Sequence, residues 1–361
     1  MTQQVNRKDQ HVGLANQQYQ ASSGPDLEAV RFVHQAFAEL DVADVSAATQ
    51  VAGLDFSTPF FINAITGGSL QTIKINQRLA ILARETGLAL ATGSVSIAMK
   101  DPEAAASFKV IRQENPDGLV FANLGAHHGL ENAKRAVDLL EANALQIHVN
   151  VPQEIIMPEG DRAFRGWLDN VETIAAHLSV PVVVKEVGFG MSRETIAELY
   201  QRGVRTVDVS GRGGTNFARI ENARRTTAKY DFLEDWGLTT VESLLEAMSL
   251  PAKSRPQIIA SGGVHHALDV VKCLALGADL VGLSGQALQW VRQPDRLDTA
   301  IETVRNIQEQ VRDIMTILGA KRIADIQQTD LVLPASAQHW AQARGIDVTA
   351  YARRSAKALE D

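Results

Sequence analysis

From about Pro59 onward, short apolar runs rich in Val, Ile and Leu alternate with longer stretches in which apolar residues recur every three or four positions. The short runs have the length and β-branched content of buried strands; the longer ones have the period of helices packed by one face. Strand-like runs stand at residues 60–64, 89–92, 119–123, 145–150, 182–185, 206–210, 257–261 and 280–283. Helical patterns occupy 71–86, 102–114, 130–142, 168–178, 192–202 and 265–276. Strands alternating with helices are βα units and predict a parallel sheet. Eight of them predict a closed (β/α)8 TIM barrel in the α/β class. An open doubly wound sheet usually has fewer strands and begins with a Gly-rich fingerprint, and no G-x-G-x-x-G follows a strand here.

Residues 1–58 read as an N-terminal arm of the same domain, with one helical segment at 26–38. Residues 59–361 read as the barrel with a C-terminal helical extension at 298–318 and 336–359. The connection 211–256 is the longest within the barrel and is rich in Arg, Gly and Asn, the mark of a lid or binding segment. A chain of 361 residues accommodates one such barrel, typically about 250 residues, with extensions at both ends.

Composition narrows the partners. Hydrophobic residues make up 45% and charged residues 21%, enough apolar surface for a large core and too much for a disordered chain. A net charge of -7 argues against a nucleic-acid partner, because phosphate backbones are held by clustered Lys and Arg. No signal-peptide core and no run of about 18 apolar residues is present, so a cytoplasmic location without membrane contact is expected. The single cysteine excludes an internal disulfide and a Cys-based zinc cluster; Cys273 lies in a helical apolar run and reads as a structural thiol.

Candidate chemistry gathers at the carboxyl ends of the predicted strands. Strand seven ends in Ser261-Gly262-Gly263 and strand eight in Ser284-Gly285-Gln286, the two loops that commonly hold a phosphate in barrels of this type. Read alone, those glycines could serve only to turn the chain. Along strand four, alternation points Gln146, His148 and Asn150 inward, with Gln153 and Glu154 just beyond at the rim. Taken singly, His148 also suits a satisfied core histidine and Glu154 a solvated loop charge. Strand five ends in Lys185, which needs an anion, an imine-forming substrate or an electron-rich ring. Amides, hydroxyls and glycines at Ala64, Ile65, Thr66, Gly67, Ser94, Asn123 and Ser210 suit the edge of a heteroaromatic ring. Arg7, Lys8 and His11 by themselves read as a solvated tail.

In this order the segments Arg7-Lys8 with His11, 63–68, Ser94, Asn123-Leu124-Gly125, 148–154, 184–188, Gly213-Gly214-Thr215 and 261–263 resemble the type 2 isopentenyl-diphosphate isomerases, over roughly residues 5–325. The resemblance implies 1,3-allylic isomerisation of isopentenyl and dimethylallyl diphosphate, with reduced FMN, Mg²⁺, and NADPH or NADH as reductant. It implies FMN contacts from Ala64, Ile65, Thr66, Gly67, Ser94, Asn123, Lys185, Ser210, Thr215, Gly262, Gly263, Ser284, Gly285 and Gln286. It implies substrate contacts from Arg7, Lys8, His11, His148, Asn150 and Gln153, catalytic roles for Gln153, His148 and Lys185, and Mg²⁺ on Glu154. Similar enzymes form homotetramers or larger assemblies.

The residues agree chemically with these expectations: Gln153 has no titrating proton and the strand-four motif offers no carboxylic-acid pair, so the proton carrier is expected to be the flavin. Two positions depart from the family pattern, Ile65 where methionine is common and Asn216-Phe217 where Ser-Trp is frequent. Competing classes are a flavin-linked hydroxyacid oxidase, disfavoured because Asp208-Val209-Ser210 lacks the expected histidine, and an IMP-dehydrogenase-like enzyme, disfavoured by the placement of Cys273. A flavin-free barrel remains, either a lysine-dependent aldolase or a non-catalytic phosphate binder.

Overall fold

The computed structural model describes residues 3–355. Eight parallel strands close in chain order: β1 (Phe60–Ile62), β2 (Leu90–Ala91), β3 (Val120–Gly125), β4 (Ala144–His148), β5 (Val182–Lys185), β6 (Thr206–Asp208), β7 (Gln257–Ser261) and β8 (Leu280–Leu283), with β8 paired to β1. The (β/α)8 barrel expected from the pattern is the fold.

Two-residue alternation sorts each strand. Outward residues such as Ile62, Leu145, Ile147, Val182, Val184, Val207, Val281 and Leu283 pack beneath the helices. Inward residues Phe61, Phe121, Ala144, Val183, Ile259 and Leu280 form a separate apolar plug low in the barrel. A hairpin, Thr49–Val51 with Leu54–Phe56, adds Val51 and Phe56 to this plug, and the Phe56 and Phe121 rings meet edge-on at 6.4 Å. Above the plug the inward positions turn polar, and there the site is built.

Six outer helices fall where the apolar period puts them: Leu70–Thr86, Ala106–Glu114, Leu130–Leu140, Trp167–His177, Arg193–Gln201 and Ala267–Ala275. Ser69 and Thr72 form a capping box at the start of the first, and Gly87 ends it in the left-handed region at φ 69. The connection 211–256, expected as a lid or binding segment, contains two helices. Phe217–Arg224 leans over the barrel mouth, and Thr240–Met248, capped by Thr239, is a regular outer helix with Val241, Leu244 and Leu245 buried.

Two expected helices are shorter than their patterns. Of 26–38, only Pro25–Ala29 is helical, because Arg31–Phe32 pairs antiparallel with Leu331–Val332. A ladder with a segment three hundred residues away outweighs local propensity there. Of 336–359, Ala335–Ala343 is helical; Gly345 at φ 66 reverses the chain and Thr349–Arg353 forms a 3₁₀ turn, while 356–361 lies outside the described residues. The long helix expected at 298–318 is present as Leu297–Ile317. Among the described residues no helix is long and apolar enough to cross a membrane. Cys273 is buried, and burial pushes its thiol pKa up, as a structural thiol requires.

The C-terminal helix is tied to the barrel through a buried charge. Glu246, on Thr240–Met248, accepts from Trp340 Nε1 at 3.0 Å, Arg344 Nε at 2.7 Å and the Arg193 backbone N–H at 3.2 Å. Arg344→Ala removes the guanidinium from a carboxylate that stays out of water, so unfolding free energy is expected to fall by about 1–3 kcal/mol. Urea unfolding measures it, and an unchanged midpoint rejects this anchoring.

Candidate active site

The parallel register of β4, β5 and β6 sets His148 beside Lys185 and Lys185 beside Asp208. Asp208 is fully buried and accepts from Asn63 Nδ2 at 2.7 Å, Ser261 Oγ at 2.7 Å and the Ser210 backbone N–H at 3.1 Å. Lys185 Nζ lies 3.3 Å from Asp208 Oδ2 and donates to Ser210 Oγ and the Glu186 carbonyl, each at 2.9 Å. All three N–H directions of Lys185 therefore have acceptors, the setting of a fixed cation and not of a free amine awaiting an aldehyde.

The network runs on from Asn63. Its Oδ1 accepts from Gln146 Nε2 at 2.9 Å, and Gln146 Oε1 accepts from Asn123 Nδ2 at 3.2 Å. Asn123 Oδ1, left as an acceptor, stands 2.8 Å from His148 Nδ1, so Nδ1 carries the hydrogen and Nε2 is the ring's free position. Burial, with the nearby charges of Lys8, His127, His128 and Lys185, lowers the His148 pKa to about 3 and keeps the ring neutral.

At the rim, Asn150 begins the short helix Val151–Ile156. Its Nδ2 donates to Gln153 Oε1 at 3.2 Å and to Glu154 Oε1 at 2.9 Å, while Glu154 Oε2 accepts from the Asp161 backbone N–H at 2.8 Å. Gln153 Nε2 donates to Glu221 Oε1 at 2.9 Å. Glu221 was not legible as a site residue. In sequence it forms an ordinary i,i+3 pair with Arg224, the pattern of a solvated helix face. Folding the helix Phe217–Arg224 over the mouth buries its carboxylate completely, where Arg224 Nη1 at 2.6 Å and His11 Nε2 at 2.9 Å also reach it. Burial alone would raise its pKa, but the contacts from His11, Gln153 and Arg224 prevail and hold it below the usual carboxylate range.

The arm is a helix, Gln3–Gln17, seated across the mouth instead of a solvated tail. Arg7 Nη1 approaches Met157 Sδ at 3.5 Å and Lys8 Nζ approaches the Ser94 carbonyl at 3.5 Å. Burial, then the neighbouring Arg7 charge, lowers the Lys8 pKa to about 8.

Lys185, His148, the rim residues Asn150, Gln153 and Glu154, and the arm enclose one cavity of about 380 Å³ at the carboxyl ends of the strands. Of the residues singled out from the sequence, Gln146 lies below it, and it is lined by Arg7, Lys8, His11, Ala64, Ile65, Thr66, Gly67, Ser94, Asn123, His148, Asn150, Gln153, Glu154, Lys185, Ser210, Thr215, Gly262, Gly263, Ser284, Gly285 and Gln286. Unforeseen lining residues are Tyr19, His127, His128 and His265. At the β7 loop, Gly262 and Gly263 have φ of 100° and 76°, and a Cβ on Gly262 would stand 2.0 Å from the Gly211 carbonyl, so only glycine fits that turn. Beside it, His265 Nε2 is buried without a hydrogen-bond partner. A cation in the floor, amides along the wall, a glycine-lined end and an unpaired imidazole nitrogen there suit a flat ring carrying a phosphate, and FMN fits.

A family model described as FMN-dependent dehydrogenase matches residues 143–333. Isopentenyl-diphosphate delta-isomerase of Latilactobacillus sakei is 48% identical, covering 96% of this chain and 98% of that protein. The protein of the same name from Nocardia farcinica is 49% identical, covering 97% and 96%. The chain belongs to the FMN-dependent isopentenyl-diphosphate delta-isomerase family. Mandelate oxidase with (S)-2-phenylpropionate shares the fold of this isomerase-family chain, at a TM-score of 0.58 with 18% identity over 90% of each chain. Ile65 and Phe217 both line the cavity, each placing an apolar body there.

Neutral, buried histidines make the isomerase scaffold acid-sensitive. His148 falls from 6.5 to about 3 on folding, and His128, by burial and then by His127 and Lys100, to about 4. The unfolded chain therefore binds more protons below pH 6.5, so the stability these rings contribute is complete above 6.5 and is lost as pH falls toward 3. Urea midpoints are expected to decline between pH 6.5 and 4, with a shallower decline in His148→Gln. Equal slopes in both proteins would contradict this account.

Proposed function

We propose that this protein interconverts isopentenyl diphosphate and dimethylallyl diphosphate by 1,3-allylic isomerisation, using FMN reduced by NADPH or NADH, and Mg²⁺. One observation supports the reading above the rest. The cations Arg7 and Lys8 and the carboxylate Glu154 close the same cavity whose floor is Lys185 and whose far end is the glycine-rich phosphate grip.

FMN, when bound, supplies an electron-rich ring able to exchange a proton without net redox change. Lys185, held by Asp208 and Ser210, stands ready to stabilise negative charge on that ring. Glu154 would hold Mg²⁺. Among the described residues no group of three His, Cys, Asp or Glu is arranged for a metal, which suits an ion that binds one protein carboxylate and takes its other ligands from water and phosphate oxygens. Arg7 and Lys8 would meet the diphosphate, whose negative charge opposes the effect of burial on Lys8 and His148.

Gln153 is pinned at both ends of its amide, by Asn150 at Oε1 and by Glu221 at Nε2, so it orients the hydrocarbon without supplying a titrating proton. Glu221 Oε1, in contact with Gln153 Nε2 and His11 Nε2, fixes that amide's orientation. The seated arm keeps water from the carbocation-like transition state. A cytoplasmic homotetramer or larger assembly completes the proposal.

Anaerobic incubation with isopentenyl diphosphate, FMN, NADPH and Mg²⁺ is expected to yield dimethylallyl diphosphate only when the flavin is reduced; turnover by colourless protein would refute it. Gln153→Ala and Glu221→Gln are expected to lower kcat by about 100-fold, the scale of a misplaced reacting group. Arg7→Ala and Lys8→Ala are expected to raise KM by about tenfold, and unchanged KM would remove the arm from substrate binding.

A further inference from the structure

Ser94 lines the cavity just past β2, and the groups that hold its hydroxyl lie behind it, between the β2 and β3 loops. A 3₁₀ turn, Val95–Met99, follows, and Ser94 Oγ accepts from the Ser96 backbone N–H at 3.4 Å. The hydroxyls of Ser94 and Ser96 stand 2.8 Å apart. His128, in the loop after β3, sets its Nε2 2.9 Å from Ser96 Oγ. Its Nδ1 is 3.0 Å from Asn132 Nδ2, on the first turn of the helix Leu130–Leu140. Asn132 Oδ1 accepts in turn from Arg135 Nη1 at 3.2 Å, while Arg135 Nη2 donates to the Met99 carbonyl at 3.1 Å. The His128 ring is buried and stacked on His127, with centroids 4.1 Å apart.

The hydrogens of this row are fixed from its outer end. A guanidinium only donates, so the Asn132 oxygen faces Arg135 and the Asn132 NH₂ faces His128. An amide NH₂ also only donates, so His128 Nδ1 is the ring's acceptor and Nε2 carries the hydrogen. Protonating Nδ1 as well would set two donors against each other. Burial, then the charges of His127 and Lys100, keeps the ring neutral by lowering its pKa to about 4. Nε2 therefore donates to Ser96 Oγ. Each serine hydroxyl brings one hydrogen; one of the pair closes the bond between them, the histidine takes neither, and the other is left for the cavity. In the opposite tautomer Nε2 would take a hydroxyl hydrogen, and the pair would turn only lone pairs to the cavity. This count holds whichever of the two hydroxyls is outermost.

Resting on the reading of this cavity as an FMN site, we infer that His128 and Asn132 are positioning residues that set the Ser94–Ser96 pair as a hydrogen-bond donor to a carbonyl oxygen on the polar edge of the bound ring. Reduction places more negative charge on those oxygens, so a donor aimed in advance favours reduced over oxidised FMN. Lys185 offers the ring a full charge from the end of β5; the serine pair adds a neutral donor from the β2 side. His128 acts through the hydroxyls and not by contact with the ring.

The test is the midpoint potential of FMN bound to the full-length protein, which reads the ratio of its affinities for reduced and oxidised flavin. Affinity for oxidised FMN, followed by quenching of flavin fluorescence, reports a folded site. Ser94→Ala combined with Ser96→Ala is expected to cut the ratio about tenfold, about 30 mV for a two-electron couple. His128→Phe keeps a ring but has no donor, and is expected to cut the ratio at least about threefold with oxidised binding unchanged. Once both hydroxyls are gone, His128→Phe is expected to have no further effect. His128→Gln, whose amide NH₂ replaces the Nε2 donor, is expected to restore the wild-type potential. A wild-type potential in His128→Phe overturns the proposal, as does a fall of the same size in the hydroxyl-free background. A raised ratio also overturns it, by setting the hydroxyls against a bare ring nitrogen, and so does equal loss of both redox forms, the mark of a structural role. Wild-type protein that binds FMN in neither form would sink the FMN reading itself, whereas tight wild-type FMN binding with an indifferent His128→Phe sinks only the relay.

Discussion

The carboxylate of Asp208, taken out of water inside the barrel, constrains everything built above it. A buried carboxylate is tolerated only when cation and donors meet it, and here Lys185, Asn63, Ser261 and the Ser210 N–H do so together. Each partner comes from a different strand end or the loop beyond it, so satisfying one charge aligns the carboxyl ends of β1, β5, β6 and β7. Asn63 then hands the constraint through Gln146 and Asn123 to His148. A buried ion pair such as Asp208 with Lys185 often contributes little net stability over apolar residues of the same volume. Their ion pair makes better sense as a device that holds a cation still beneath a ring.

Around that floor the barrel arranges two anion-binding ends of different character. One end is cationic and hard: Arg7, Lys8 and Glu154 suit a metal-chelated diphosphate. The other is made of glycine turns, amides and an imidazole, and suits a phosphate held for long periods. The arm joins them, with His11 on Glu221 at one end and Tyr19 on His265 and Gln286 at the other. Packing the arm this way explains how a chain with a net charge of -7 concentrates positive charge over its own mouth.

Much of this was legible in the linear pattern because the controlling forces are local. Strand alternation and helical period follow from backbone geometry, so the eight strands, their outer helices and the inward placement of Gln146 and His148 could be read residue by residue. The residues at strand ends needed only the rule that such ends converge at one face of the barrel. Where the pattern failed, a distant partner had overruled it, as when Arg31–Phe32 left its helical register for Leu331–Val332.

What the sequence by itself determined is the barrel and the residues of its rim, since both depend on periodicities of two and three to four positions. Only the tertiary structure decided which rim residues touch. Glu221 looks like a surface partner of Arg224 until the helix Phe217–Arg224 covers Gln153, and His265 looks like the first residue of a helical run until Tyr19 arrives and leaves Nε2 unpaired. Burial and pairing across long chain separations set the charge and hydrogen-bond state of these groups, and neither quantity is written in the local order of side chains.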